Sequence, residues 1–145
     1  MNRRLVQVFA GVLLSVILCS GELADENDPD KSLGLNNGRA WEKISSSADK
    51  VVFLMGLEDG IEEGIRTAKA NVSEKERVKL INEVTITAFT RGEVIKVLDD
   101  FYTDILNRKI PIAAAYIFVG KRLKGKLTPE KEAEWISRLR KTYSK

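Results

Sequence analysis

The sequence predicts an all-α protein: a compact bundle of four to five helices that follows a cleavable signal peptide. Three observations predict it. Apolar residues recur at helical spacing over most of the chain, three Ser/Thr-x-x-acid boxes mark helix starts, and one segment, IAAAYIFV, is apolar nearly all round and suits a central helix. At 145 residues with 43% hydrophobic and 31% charged residues, the chain has the composition of one ordinary globular domain.

Arg3 and Arg4 precede an apolar run over residues 5–18. That run is short for a membrane-spanning helix of roughly 20 residues but has the length of a signal core. Cys19 and Gly21 supply the small side chains that signal peptidase takes before its cut. Residues 1–21 are therefore expected to leave as a signal peptide, with the exported chain, periplasmic or secreted, starting at Glu22. Lipidation of Cys19 is the alternative, and Leu18 stands where that processing wants Gly or Ala. Residues 22–37 are acidic, contain Pro29 and Gly34 and lack an apolar period, so they read as a flexible leader. Residues 38–145 then form a single helical domain.

Within that domain, a short turn over residues 39–44 lets Trp41 and Ile44, three apart, dock as a lid. The first long helix is expected over residues 48–70, capped by Ser46 with Asp49, and places Val51, Leu54, Met55, Ile61, Ile65 and Ala68 at helical spacing. Ser73 and Glu76 open a second helix bearing Val78, Leu80, Ile81 and Val84, which ends in the β-branched stretch Thr85-Ile86-Thr87. Thr90 and Glu93 open a third, with Val94, Val97, Leu98, Phe101 and Ile105 on one face. Residues 107–110 break the pattern. Pro111 suits the first turn of the next helix, which runs through residues 112–119, contains Gly120 and can be capped by Gly125. Thr128-Pro129 opens the last helix, whose Ala133, Ile136, Leu139 and Tyr143 face inward.

Charge is unevenly distributed. Residues 22–63 hold eleven acids against four bases, residues 64–105 seven against seven, and residues 106–145 three against eleven. The exported chain is thus nearly neutral overall, at +1, but a charge dipole along its length. The absence of histidine, with Cys19 lost in processing, excludes Ser-His-Asp triads, Cys-His dyads, histidine zinc sites and thiol redox chemistry. Ser47-Ala48-Asp49-Lys50 matches the S-x-x-K pattern of serine acylating enzymes, but a cap reading explains it. No catalytic residue, metal site or cofactor is assigned.

The candidate binding residues are acidic. Glu58, Asp59, Glu62 and Glu63 form two carboxylate pairs one helical turn apart, a repulsive arrangement that calls for a hard cation, a basic partner or bases from a neighbouring helix. Glu58 falls on the apolar stripe between Leu54 and Ile61, so part of it is expected to be buried. Asp99, Asp100, Tyr102 and Asp104 at the end of the third helix add charge and an aromatic anchor for a basic protein partner. Gly56, Gly60 and Gly64 recur every four residues, and since each mid-helix glycine costs about 0.5–1 kcal/mol, they are expected to line a close-packing groove. A basic surface built from Lys121, Arg122, Lys124 and Lys126, with Lys131, Arg138, Lys141 and Lys145 on one face of the last helix, offers a weak contact for an anionic envelope surface. Nucleic acid does not suit an exported chain.

The segment Phe53-Leu54-Met55-Gly56-Leu57-Glu58-Asp59-Gly60-Ile61 resembles the aromatic-Leu-x-Gly-x-x-Asp-Gly helix of small exported bacterial proteins, among them the Tai-type immunity proteins of type VI secretion. The order of later elements is also similar: Thr90-Arg91-Gly92-Glu93-Val94, then Leu98-Asp99-Asp100-Phe101-Tyr102, then Ile110-Pro111-Ile112-Ala113-Ala114-Ala115. The resemblance covers residues 48–123. It implies an all-α periplasmic domain that acts by binding a protein, with toxin neutralisation as its most concrete version. The disulfides common in those immunity proteins have no counterpart in the exported chain, and uncharacterised secreted proteins share the same Gly-x-x-Asp-Gly and Phe-Tyr-x-Asp patterns. Two other classes compete: a small carboxylate-dependent hydrolase of the cell envelope, using Glu58 with Asp99 or Asp100, and a self-associating structural or stress protein.

Overall fold

The computed structural model describes residues 28–33 and 35–144. The expected signal peptide, the Cys19 alternative and the first part of the acidic leader lie outside the described residues. The described chain opens with a small antiparallel pair, β1 (Lys31–Ser32) and β2 (Leu35–Asn36), in which Lys31 faces Asn36 and Ser32 faces Leu35. Leu33 adopts a positive φ of 53° at its turn. Part of the segment expected to lack structure is therefore ordered, and the reason is Asn37. Its buried side chain donates to the Pro29 carbonyl and the Ser32 hydroxyl, both at 3.1 Å, and accepts from Arg39 N at 3.0 Å. One side chain thus closes the hairpin and caps the next helix.

Six α-helices follow among the described residues: α1 (Gly38–Lys43), α2 (Ser47–Ala68), α3 (Glu74–Val84), α4 (Arg91–Thr103), α5 (Ile112–Leu123) and α6 (Pro129–Tyr143). The all-α bundle is the fold. Ser73 and Thr90 form complete reciprocal boxes with Glu76 and Glu93. Ser46 accepts from Asp49 N at 3.0 Å, but Asp49 answers the Ser46 hydroxyl rather than its backbone, so this cap is half a box. Pro111 precedes α5, and Thr128 with Pro129 starts α6. Gly125, with φ of 62°, ends α5: its N–H donates to Arg122 O at 2.9 Å and that of Lys126 to Lys121 O at 3.0 Å, the paired bonds of a Schellman closure.

Helix α5 is the central element, with Ile112, Ala114, Ala115, Tyr116, Phe118 and Val119 buried, and it packs against α3, α4 and α6. Helix α2 lies on α3 and α4 and buries Leu54, Glu58, Ile61 and Ile65. Phe118 joins Phe101 of α4 at 5.5 Å to Trp135 of α6 at 6.1 Å. Trp41 docks as the expected lid, 1% exposed, edge-on to Phe53 at 6.0 Å.

Five positions expected to face the core do not. Met55, Ala68, Val78 and Ala133 are exposed because the apolar stripes of α2, α3 and α6 are narrower than their apolar content. Ile105 is 69% exposed because α4 ends at Thr103 and the chain turns through a 3-10 turn, Ile105–Asn107. Asp104 caps that turn by accepting from Leu106 N at 3.0 Å, which ends the helix before Ile105 can reach its face.

Candidate partner-binding surface

The eight acidic and aromatic residues picked from the sequence separate into two groups once folded. Glu58 points inward from α2, 6% exposed, and is held by two side chains of its own chain. Arg91, at the first turn of α4, forks onto it, with Nη1 2.8 Å from Oε1. The Tyr116 hydroxyl of α5 donates to the same oxygen and accepts from Ile86 N at 2.8 Å. Burial first, then the bond to the Glu58 carboxylate, pushes the Tyr116 hydroxyl well above its ordinary pKa. This network ties α2, α4 and α5 together.

Asp99 is also engaged, accepting from Trp41 Nε1 at 2.7 Å and from Lys50 Nζ at 2.6 Å while that ammonium sits 4.9 Å over the Trp41 ring. It fastens the lid. Tyr102 is 1% exposed and donates to Ile110 O at 3.0 Å, so it is a core residue and offers no aromatic anchor to a partner. The sequence placed it at the surface because Asp99, Asp100 and Asp104 around it are polar, yet the helical period turns it toward Phe101 and Gly38. Asp104 pairs with Arg140 besides capping its turn.

Asp59, Glu62, Glu63 and Asp100 remain. Asp59 and Glu63 are exposed on the outer face of α2, Glu62 is half-buried at its side, and Asp100 is exposed on α4. Glu63 receives the Thr67 hydroxyl at 3.3 Å within its own helix. The outer face of α2 also presents Val52, 68% exposed, and Met55, 52% exposed. Val52, Met55, Gly56, Asp59, Gly60 and Glu63 share one face, each with another three or four residues away, opposite the buried Leu54, Glu58, Ile61 and Ile65.

The glycine groove is corrected by this geometry. A Cβ built at Gly56 or Gly60 meets nothing within 4 Å, so no element of the described chain packs there, and Gly64 is half-buried. Close approach occurs at two glycines outside the repeat. A Cβ at Gly38 would lie 2.3 Å from Tyr102 Cδ1 and 3.0 Å from Arg108 Cα, and one at Gly120 would lie 2.8 Å from Ile86 Cγ1. Periodicity drew the eye to the wrong glycines. Gly38 carries no local sequence signal of its role, because its neighbour Tyr102 is sixty-four positions away.

Half of the eight basic candidates are engaged as well, and Lys145 lies outside the described residues. Lys124 donates to Asn82 O at 2.9 Å and Thr85 O at 2.6 Å, closing the end of α3. Lys121 lies 4.8 Å over the Trp135 ring, Arg122 is 3.5 Å from Glu132, and Arg138 is 3.9 Å from Glu134. Burial lowers the pKa of both Lys121 and Lys124. Lys126 and Lys131 are exposed. Among the described residues no three His, Cys, Asp or Glu side chains gather as a metal site, and no helix is long and apolar enough to cross a membrane. No family model, curated protein or solved structure matches the chain.

Proposed function

We propose that the chain is an exported, non-enzymatic domain that binds another protein through the outer face of α2, with neutralisation of a toxin as the specific form of that role. One observation carries the reading. A 22-residue helix keeps Gly56 and Gly60 where nothing among the described residues needs the space, beside exposed Val52 and Met55 and next to Asp59 and Glu63. Glycines that weaken a helix without serving internal packing leave a shallow strip on which a partner's backbone can lie close. The apolar pair supplies area, and the carboxylates favour a basic partner and speed its approach.

The reading is tested by purifying the tagged chain from the exporting cell in parallel with Gly60→Arg, Asp59→Lys and Asp100→Lys variants. The expected result is one partner retained by the parent and by Asp100→Lys and lost with the two α2 substitutions, with no variant melting below the parent. Retention by all variants removes the α2 face from consideration. For the immunity form, the captured protein should arrest growth of cells that lack this chain and spare cells that export it.

A further inference from the structure

A second surface lies where Pro29 and Asp30 ahead of β1, α1, the 3-10 turn with the residues after it, and the end of α6 meet. They enclose an open cleft of about 870 Å³. Its lining includes six bases, and three are neutralised: Lys43 by Asp30, Arg108 by Glu42, whose Oε1 lies 2.8 Å from its Nε, and Arg140 by Asp104. Arg39, Lys109 and Lys141 have no carboxylate partner among the described residues, and Lys109 bonds only the Ser144 carbonyl, at 3.3 Å. Among the described residues the cleft therefore carries an excess of positive charge from three different elements.

On its edge stand Ile105 and Leu106, 69% and 62% exposed. Their exposure is enforced by the residues on either side. Asp104 caps the turn and holds Arg140, while the buried Asn107 donates to Phe101 O at 2.7 Å and accepts from Arg140 Nε at 2.8 Å. With both flanks clamped to one arginine, the two aliphatic side chains cannot fold back onto the core.

We propose that this end of the molecule docks on a bilayer rich in anionic phospholipid, with Ile105 and Leu106 entering the headgroup–acyl boundary and Arg39, Lys109 and Lys141 meeting lipid phosphates. Two adjacent aliphatic residues beside unpaired cations are the two components of reversible membrane attachment, apolar insertion and attraction to a negative surface. A fluid bilayer accepts them without the shape complementarity or aromatic anchors a protein hot spot favours, and the cleft is lined by no aromatic residue. The surface is separate from the α2 face, so either proposal can fail alone.

The test is sedimentation of the chain, as recovered from the producing cell, with phosphatidylglycerol vesicles and with pure phosphatidylcholine vesicles. Comparison among variants cancels any contribution of the leader. The parent should bind the anionic vesicles and lose them as salt rises. Lys109→Gln/Lys141→Gln should lower partition about twenty-fivefold, at roughly fivefold per cation near an anionic surface. Ile105→Ser/Leu106→Ser should lower it by about tenfold or more through lost apolar insertion. Soluble glycerophosphoglycerol, a headgroup without acyl chains, should compete weakly. Equal binding by parent and both double variants, indifference to lipid charge, or full competition by the free headgroup would each overturn the proposal. Should Ile105→Ser/Leu106→Ser melt early, Leu106→Gln replaces it, since one exposed polar substitution leaves the clamped turn intact.

Discussion

The outer face of α2 and the seats of Gly38 and Gly120 use the same residue in opposite ways. On α2, Gly56 and Gly60 lie under open space, while Gly38 and Gly120 lie under side chains at distances that no Cβ tolerates. A repeat of glycines along one helix looks like a packing device, but a glycine is required only where another chain segment already occupies the Cβ position. The same contrast divides adjacent residues of one turn: Glu58 is buried between Arg91 and Tyr116, and Asp59 is exposed.

That contrast can be broken most directly at Glu58. Glu58→Ala should destabilise the domain by about 3 kcal/mol, the lower end for breaking a buried pair, because Arg91 is one-third exposed and can turn to water. Asp59→Ala should move stability by less than about 0.5 kcal/mol. Urea unfolding of the two variants side by side measures the difference, and similar losses would erase the distinction between the two sides of α2.

Among the glycines, Gly38→Ala should cost about 2 kcal/mol, since the new methyl must displace both the buried Tyr102 ring and the Arg108 backbone. Gly60→Ala should do the reverse and stabilise by about 1 kcal/mol, as helix propensity acts alone where nothing opposes it. Thermal melts of this pair sharpen the comparison, because opposite signs are required.

The smallest effect concerns Asp104, whose carboxyl is held below its ordinary pKa by the Leu106 N–H and then by Arg140. A depressed pKa means that its contribution is present above the unfolded-state value, about 3.9, and is lost as pH falls through the folded value. Asp104→Asn should therefore narrow its stability gap from the parent as pH drops below about 4, seen in melting temperatures recorded from neutral to acid.

Much of the fold was legible because it depends on neighbours in sequence. Caps at Ser73 and Thr90, proline at the starts of α5 and α6, and the apolar α5 all act within a few residues, so reading along the chain finds them. The candidate site was legible only in part. Glu58 was marked by its place on an apolar stripe, but its partners Arg91 and Tyr116 lie thirty-three and fifty-eight positions away.

The sequence by itself determined the helical class, the helix starts, the lid role of Trp41 and the central place of α5, since periodicity and capping are local. Tertiary structure alone decided that Tyr102 is core, that Gly38 and Gly120 are the tight glycines, and that Ile105 and Leu106 stand beside three cations with no carboxylate partner among the described residues. Those outcomes depend on which distant segments meet, and meeting is settled by packing and by the satisfaction of buried polar groups such as Asn37 and Asn107, not by any spacing along the chain.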